Sequence, residues 1–125
     1  MHLDQEERKT VLVVEDDPII RLSAVEMIRQ LGFEAQHAGT AAQALLMLEK
    51  QSDIDVVFTD VAMPGSLDGL RLAHLIETRW PEISLVVTSG QRLVGEQDVP
   101  KSGTFIAKPY TLGVIGDALE QAANR

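Results

Sequence analysis

The sequence contains no cysteine, so disulfide bonds, thiolate catalysis and zinc sites built on thiolates are all excluded. Its three histidines, His2, His37 and His74, lie far apart and lack the spacing of metal ligands. Isolated histidines are more often surface or packing residues than ligands. We therefore assign these three no functional role.

Basic residues are outnumbered, with 11 lysines and arginines against 19 aspartates and glutamates and a formal net charge of -8. Binding to a phosphate backbone or an anionic membrane needs clustered positive charge, so we predict no nucleic-acid partner and no membrane partner. Long apolar runs are also missing, since none approaches the roughly 20 residues of a membrane span. The polar residues 1–9 are not a secretory signal and predict a flexible N-terminal tail on a cytoplasmic protein.

Short apolar runs alternate with helical patterns along the 125 residues, which is enough chain for one domain. The run Val11-Leu12-Val13-Val14 is continuous and rich in β-branched residues, as in a strand covered on both faces. Four more strands are predicted, at 33–38, 56–58, 83–87 and 104–107. Strands separated by helices predict an α/β fold with a parallel sheet of five strands.

The predicted helices each carry apolar residues on one face. Asp17 can cap the first helix, with Pro18 in its first turn and Gly32 at its end. The apolar face of this helix is predicted to comprise Ile20, Ala24, Met27, Ile28 and Leu31. The last helix, from about 112 to 122, is predicted to direct Leu112, Ile115 and Leu119 inward.

Polar residues follow four of the predicted strands, namely Glu15-Asp16, Asp60, Thr88-Ser89 and Lys108-Pro109. Because right-handed crossovers place the carboxyl ends of parallel strands along one edge of the sheet, these groups should lie together. A lone aspartate at a strand end is usually a turn residue or a helix cap. Carboxylates combined with a fixed lysine and a hydroxyl are instead typical of a site that binds a divalent cation and accepts a phosphoryl group.

The chain resembles the receiver domain of two-component response regulators, of the stand-alone single-domain type. The matching segments are Val13-Val14-Glu15-Asp16-Asp17-Pro18, Thr59-Asp60-Val61-Ala62-Met63-Pro64, Leu67-Asp68-Gly69, Val87-Thr88-Ser89-Gly90 and Phe105-Ile106-Ala107-Lys108-Pro109-Tyr110. They extend over about residues 10 to 122. The resemblance implies a doubly wound (βα)5 flavodoxin-like fold, with strand order 2-1-3-4-5 and a receiver domain over residues 10–125.

The carboxylates have distinct implied roles. A carboxylate can attack phosphorus to give an acyl phosphate, and Asp60 is the predicted acceptor because it follows the central strand. Crowded carboxylates form a hard oxygen site suited to Mg²⁺. The resemblance implies that Asp16 and Asp60 bind the ion directly, Glu15 through water and Ala62 through its backbone carbonyl. Asp17 is the alternative ligand, although aligning the paired valines leaves it as a helix cap.

The remaining site residues would act on the phosphoryl group. Lys108 provides a fixed ammonium for the phosphoryl oxygens, and Thr88, with Ser89 beside it, offers a hydroxyl donor. The resemblance also implies an aromatic switch at Phe105 and a cis peptide bond before Pro109. A phenylalanine in a strand is otherwise a core residue, so both interpretations of Phe105 stay open.

Two segments depart from the family pattern. The loop after Asp60 is one residue longer than usual, with Gly65-Ser66 before Leu67. Residues 90–103 contain three glycines and a proline where the family has its fourth helix, which predicts a shortened or irregular helix and a mobile segment. The family's signalling face uses that helix, so the resemblance does not assign an output surface here.

These observations predict a single-domain response regulator that accepts a phosphoryl group from a sensor histidine kinase or a histidine phosphotransfer protein. It would signal through protein contacts with an unknown downstream target. It would catalyse its own phosphorylation and dephosphorylation with Mg²⁺, without turnover of a separate substrate. The alternatives are a phosphate sink and a non-phosphorylated docking module. A flavodoxin-like cofactor binder is disfavoured because Glu15, Asp16 and Asp17 would repel a phosphate, and an aspartyl phosphatase would normally carry an acid where Ala62 stands.

Overall fold

The computed structural model describes residues 8–61, 69–89 and 103–124. In chain order the elements are β1 (Thr10–Val14), α1 (Pro18–Gln30), β2 (Glu34–Ala38), α2 (Ala41–Lys50), β3 (Val56–Asp60), α3 (Gly69–Arg79), β4 (Ser84–Ser89), β5 (Gly103–Ala107) and α4 (Leu112–Ala123). All five predicted strands are present. The predicted tail lies outside the described residues over 1–7, as does the predicted irregular fourth helix over 90–102.

The strands form one parallel sheet in the order β2-β1-β3-β4-β5, which confirms the doubly wound flavodoxin-like fold. The pairing register aligns the carboxyl ends of the strands. The Cα atom of Asp60 at the end of β3 lies opposite that of Thr88 in β4, and Ser89 lies opposite Ala107 at the end of β5. Residues that follow these strands therefore emerge along a single edge.

The core consists of two apolar layers, one on each face of the sheet. Along β1, Val11 and Val13 pack with buried residues of α1 and α4, whereas Leu12 and Val14 pack with those of α2 and α3. Every residue of β1 and of β3 is buried. Because each buried valine or leucine contributes about 1.5–3 kcal/mol, the continuous apolar strands stabilise a sheet covered on both faces.

The first helix begins and ends where its sequence predicts. Asp17 Oδ1 accepts hydrogen bonds from the backbone N–H of Ile19 at 2.9 Å and of Ile20 at 3.1 Å. Pro18 occupies the first helical position, where a missing N–H leaves no bond unmade. After the helix Gly32 adopts a φ of 96°, a left-handed conformation that favours glycine.

Two predicted inward residues are exposed. Ile20 is 37% exposed and Leu112 is 42% exposed, so the prediction that both face the core is wrong. Each lies in the first turn of its helix, near the strand ends, where the sheet no longer covers the helix. The buried face of α1 is formed by Ala24, Val25 and Ile28. Ile115 and Leu119 of α4 are buried, as predicted.

Membrane insertion through a helix has no support in the described part of the chain. No helix there is both long and apolar enough to cross a bilayer.

Candidate functional site

Three of the predicted site residues meet at the carboxyl edge of the sheet. Glu15 directly follows β1, Asp60 ends β3, and Lys108 directly follows β5. The ammonium Nζ of Lys108 donates hydrogen bonds to Glu15 Oε1 and to Asp60 Oδ2, each at 2.9 Å. Glu15 and Asp60 are buried, and the Lys108 side chain is 21% exposed. The sheet thus holds one ammonium between two buried carboxylates that come from distant parts of the sequence.

A third carboxylate completes an acidic cluster. Glu15, Asp16 and Asp60 each offer a carboxylate oxygen, and these oxygens all lie within 4.8 Å of one another. Asp16 is the exposed member of the cluster. Asp17 is not a member, because its carboxylate caps α1. The structure therefore favours Glu15-Asp16 as the acidic pair and Asp17 as the helix cap.

The electrostatics of the cluster suit a divalent cation. Burial raises the pKa of Glu15, and the hydrogen bonds that it accepts from Lys108 and from the Asp17 amide only partly offset that effect. Burial acts to lower the pKa of Lys108, but hydrogen bonds to Asp60 and Glu15 and the negative charges of these groups together outweigh burial, so the pKa is raised. The cluster contains three carboxylates, and one ammonium bonds to two of them, which leaves excess negative charge. Carboxylate oxygens are the ligands that Mg²⁺ and Ca²⁺ prefer, so the residues present fit such an ion.

Thr88 lies opposite Asp60 in the pairing of β3 with β4. Thr88 is 1% exposed, and its Oγ1 atom has no hydrogen-bond partner among the described residues. Leaving a buried hydroxyl unpaired costs about 1–3 kcal/mol. Ser89, the next residue, is also buried. A phosphoryl oxygen on Asp60 could accept the hydrogen bond that Thr88 makes to no described residue.

The segment around Lys108 aims the lysine at the cluster. The backbone N–H of Lys108 donates to Ser89 O at 3.1 Å, which extends the pairing of β5 with β4 by one bond. The Lys108–Pro109 peptide bond is cis. Phe105 is half-buried and packs against the core layer under α2 and α3. That packing is compatible with a core residue, and the switch role of Phe105 stays a prediction.

Gly69 belongs to one of the segments that match the family, but the amino-acid sequence alone assigns it no role. A Cβ atom at this position would overlap the backbone carbonyl oxygen of Asp60 and would lie 2.7 Å from the Cα of Val61. The first residue of α3 therefore packs directly against the backbone of Asp60. Leu67 and Asp68 of the same segment, and Ala62 with its implied carbonyl ligand, lie outside the described residues.

The structure also contains an apolar cleft next to Lys108 that the sequence analysis does not predict. Its volume is about 510 Å³, and it is lined by Ile19, Ile20, Ser23, Met27, Lys108, Pro109 and Tyr110. Ile19 is 79% exposed and Leu22, also on α1, is 54% exposed. Consecutive apolar residues in the first turns of α1 are the sequence signal for this cleft, but helical periodicity groups Ile20 and Met27 with the core residues of that helix.

Comparison with known proteins gives three informative relatives. The sensor histidine kinase RcsC of Salmonella typhimurium is 33% identical over 125 residues, which cover 98% of this chain and 13% of that protein. The transcriptional regulatory protein PdtaR of Mycobacterium tuberculosis is 30% identical, covering 94% of this chain and 58% of that protein. A response regulator receiver protein from Sinorhizobium medicae has a similar structure, with a TM-score of 0.87, 26% identity and coverage of 95% and 97% of the two chains.

The chain spans only a small part of the kinase and just over half of the regulator. The two matched proteins differ in kind, since one is a sensor kinase and the other a transcriptional regulator. The family model for the response regulator receiver domain matches residues 11–120, which run from the second residue of β1 through most of α4 and include every group of the site. This chain therefore belongs to the response regulator receiver domain family.

Proposed function

We propose that this domain accepts a phosphoryl group on Asp60 from a histidine kinase or a histidine phosphotransfer protein. The phosphorylated domain then signals through contacts with a protein target. The observation that carries the proposal is the Lys108 ammonium held between the buried carboxylates of Asp60 and Glu15, within an acidic cluster. Thr88, opposite Asp60 in the sheet, adds a buried hydroxyl without a partner among the described residues. The similarity to a sensor histidine kinase supports that class of donor.

The chemistry is a phosphoryl transfer between side chains. A carboxylate oxygen of Asp60 forms the new bond to phosphorus, while the bond from phosphorus to the donor's imidazole nitrogen breaks and its electron pair leaves with the nitrogen. Lys108 holds Asp60 in place and presents its ammonium to the phosphoryl oxygens, and Thr88 can donate to one of them. Mg²⁺ held by Asp16 and Asp60, and through water by Glu15, would neutralise charge on the phosphoryl group.

Hydrolysis of the acyl phosphate would return Asp60 to its starting state. On this proposal the domain promotes both reactions on itself and turns over no separate substrate. The donor must bring a phosphohistidine within reach of Asp60, so it must dock beside Lys108. The apolar cleft lined by Tyr110 and α1 supports docking there, because it offers apolar surface next to the site.

The acceptor assignment can be tested with a small phosphodonor. The wild-type protein and two variants, Asp60→Asn and Asp53→Asn, are incubated with acetyl phosphate and Mg²⁺, and the intact mass is measured. We expect the mass of one phosphoryl group to be added to the wild type and to Asp53→Asn, whose replaced residue is exposed and precedes β3. Addition to Asp60→Asn would overturn the assignment.

Phosphotransfer profiling against candidate kinases and phosphotransfer proteins then tests the donor class. Rapid transfer from one donor, followed by a change in binding to a target, is the expected result. Transfer without any change in target binding would favour a phosphate sink. No transfer from any donor, together with no reaction with acetyl phosphate, would favour a non-phosphorylated docking module.

A further inference from the structure

Arg21 of α1 holds the backbone of the acidic loop. Its Nη1 atom donates to the backbone carbonyl oxygen of Glu15 at 3.1 Å. The backbone N–H of Glu15 donates to Ala38 O at 3.1 Å, so both backbone polar groups of Glu15 are bonded. On the other side of Asp16, the Asp17 N–H donates to Glu15 Oε2 at 3.2 Å. The loop that carries two of the three clustered carboxylates is thus held by contacts on both sides of Asp16.

The contacts of Arg21 are unusual for an arginine next to an acidic site. Within the described part of the chain it forms no ion pair, and its buried Nε atom has no hydrogen-bond partner. A Cβ atom on Gly39 would lie 3.0 Å from Arg21 Nη1, so the absence of a side chain there leaves room for the guanidinium. Burying the Arg21 Nε–H without a hydrogen-bond partner costs free energy. The contact that Arg21 makes in this position is its bond to the backbone carbonyl of Glu15.

Asp16 is the cluster member that needs this support. Lys108 bonds to the carboxylates of Glu15 and Asp60, whereas the Asp16 carboxylate makes no hydrogen bond to any described residue. Its position therefore depends on the backbone that carries it. We propose that Arg21 is a positioning residue for the cation site, because its bond to the Glu15 carbonyl keeps Asp16 within reach of Glu15 and Asp60. The proposal rests on the function proposed above, in which this cluster binds Mg²⁺.

The charge of Arg21 and its positioning contact predict opposite changes in Mg²⁺ affinity for Arg21→Met. Removing a positive charge near three carboxylates should strengthen Mg²⁺ binding, whereas loss of a positioning contact should weaken it. We expect the Kd for Mg²⁺, measured by calorimetry, to rise about tenfold, as is usual when a residue supporting a metal ligand is lost. The rate of phosphorylation by acetyl phosphate should approach the wild-type value at saturating Mg²⁺, since Arg21 touches none of the reacting groups.

Arg29→Met is the matched control. Arg29 also lies on α1 and also donates from Nη2 to a backbone carbonyl, that of Ala35 at 3.0 Å. This variant should lose stability without a change in the Kd for Mg²⁺. Amide hydrogen exchange in the absence of metal provides a second measurement. Exchange at residues 15–17 should be faster in Arg21→Met than in the wild type, and unchanged in Arg29→Met.

Gly39→Ala keeps the test decisive if Arg21→Met does not fold. Its new methyl group would displace the guanidinium while leaving the charge in place, and it should raise the Kd by less than Arg21→Met. If Arg21→Met folds and binds Mg²⁺ as tightly as the wild type or more tightly, the positioning role alone is overturned. If Arg21→Met is unfolded, the same result in Gly39→Ala overturns it. A wild type that binds no Mg²⁺ would overturn the cation site and the positioning role together.

Discussion

At the scale of single residues, Lys108 decides how the acidic site can exist in the folded protein. Its ammonium lies 2.9 Å from oxygens of both Glu15 and Asp60, which are buried. Removing one partner of a buried ion pair leaves an uncompensated charge, which typically costs about 3–5 kcal/mol. Lys108 is itself partly exposed, so water moderates the effect here. The lysine therefore stabilises the metal-free site through its bonds to both carboxylates.

We predict that Lys108→Met lowers the free energy of unfolding by roughly 2 kcal/mol without Mg²⁺, below the value for a fully buried pair. Urea denaturation with and without Mg²⁺ measures it. Mg²⁺ should restore more stability in this variant than in the wild type, because the cation replaces the missing positive charge. Arg8→Met is the control, since its pair with Glu34 is exposed and should contribute less than about 1 kcal/mol. Equal losses in the two variants would contradict the prediction.

Asp16 and Asp17 are adjacent in sequence but differ in role, and Mg²⁺ should distinguish them. Mg²⁺ should raise the melting temperature of the wild type, because it binds the native carboxylate cluster and not the unfolded chain. Asp16→Asn should remove most of that increase. Asp17→Asn should retain it, since asparagine caps helices about as well as aspartate. Thermal unfolding with and without Mg²⁺ measures both variants. If Asp17→Asn loses the increase and Asp16→Asn retains it, Asp17 is the ligand.

Tyr110 provides a pH test beside the cleft. Burial raises the pKa of its phenol above 10.0, and the charge of Lys108 only partly offsets that effect. The neutral phenol thus stabilises the fold below pH 10.0, and this contribution is lost as the pH rises through the native pKa. Because the chain has one tyrosine, tyrosinate absorbance reports on Tyr110 alone. We expect the native protein to titrate at higher pH than the urea-unfolded protein. Coincident titrations would show that the phenol is solvated.

At the scale of secondary structure, α3 is tied to the acceptor through close contact between backbones. The position that a Cβ of residue 69 would take is already occupied by the carbonyl oxygen of Asp60. A side chain at this position would have to move either α3 or the end of β3. Movement of the Asp60 backbone and movement of α3 are therefore linked.

Two glycine-to-alanine substitutions in helices should have opposite effects. Gly69→Ala should lower the free energy of unfolding by about 3 kcal/mol, since the new methyl group meets backbone that cannot move aside. Gly113→Ala in α4 should raise it by up to about 1 kcal/mol, because alanine favours the helix and its Cβ would contact only Thr111 Oγ1 at 3.9 Å. Urea denaturation measures both, and Gly69→Ala should also slow phosphorylation of Asp60. A neutral Gly69→Ala would show that α3 shifts freely.

At the scale of the whole molecule, the apolar cleft and the acceptor site lie side by side on one surface. Lys108 belongs to both, since it lines the cleft and bonds to Asp60. A protein donor must cover this surface, whereas acetyl phosphate needs only the acceptor site. The two donors can therefore separate docking from chemistry.

We predict that Ile19→Glu slows phosphotransfer from a cognate protein donor by at least about tenfold, as expected when a central apolar contact is replaced by a charge. The reaction with acetyl phosphate should not change, because Ile19 is 79% exposed and not part of the acidic cluster. Leu46→Glu on α2, where the side chain is 55% exposed, is the control and should affect neither reaction. Equal slowing with both donors would mean that Ile19 acts on the site and not on docking.

The sequence by itself determined the elements of the fold and the identity of the central site residues. Continuous apolar runs such as Val11-Leu12-Val13-Val14 can bury both faces only inside a parallel sheet, and the Asp17 side chain satisfies the first N–H groups of α1 locally. The position of Asp60 and Lys108 followed from the same logic, because strand ends in such a sheet share one edge. The strand order was predicted from the resemblance to the family, because hydrophobic periodicity does not specify it.

Only the tertiary structure decided which surfaces those residues create. Whether Ile20 and Leu112 face the core depends on where the sheet ends relative to the first turn of each helix, and helical periodicity carries no information about that distance. The contact of Gly69 with the Asp60 carbonyl, and that of Arg21 with the Glu15 carbonyl, join segments separated in the chain. Such contacts depend on how helices pack on the sheet to within an ångström, and local sequence preference does not specify packing at that scale.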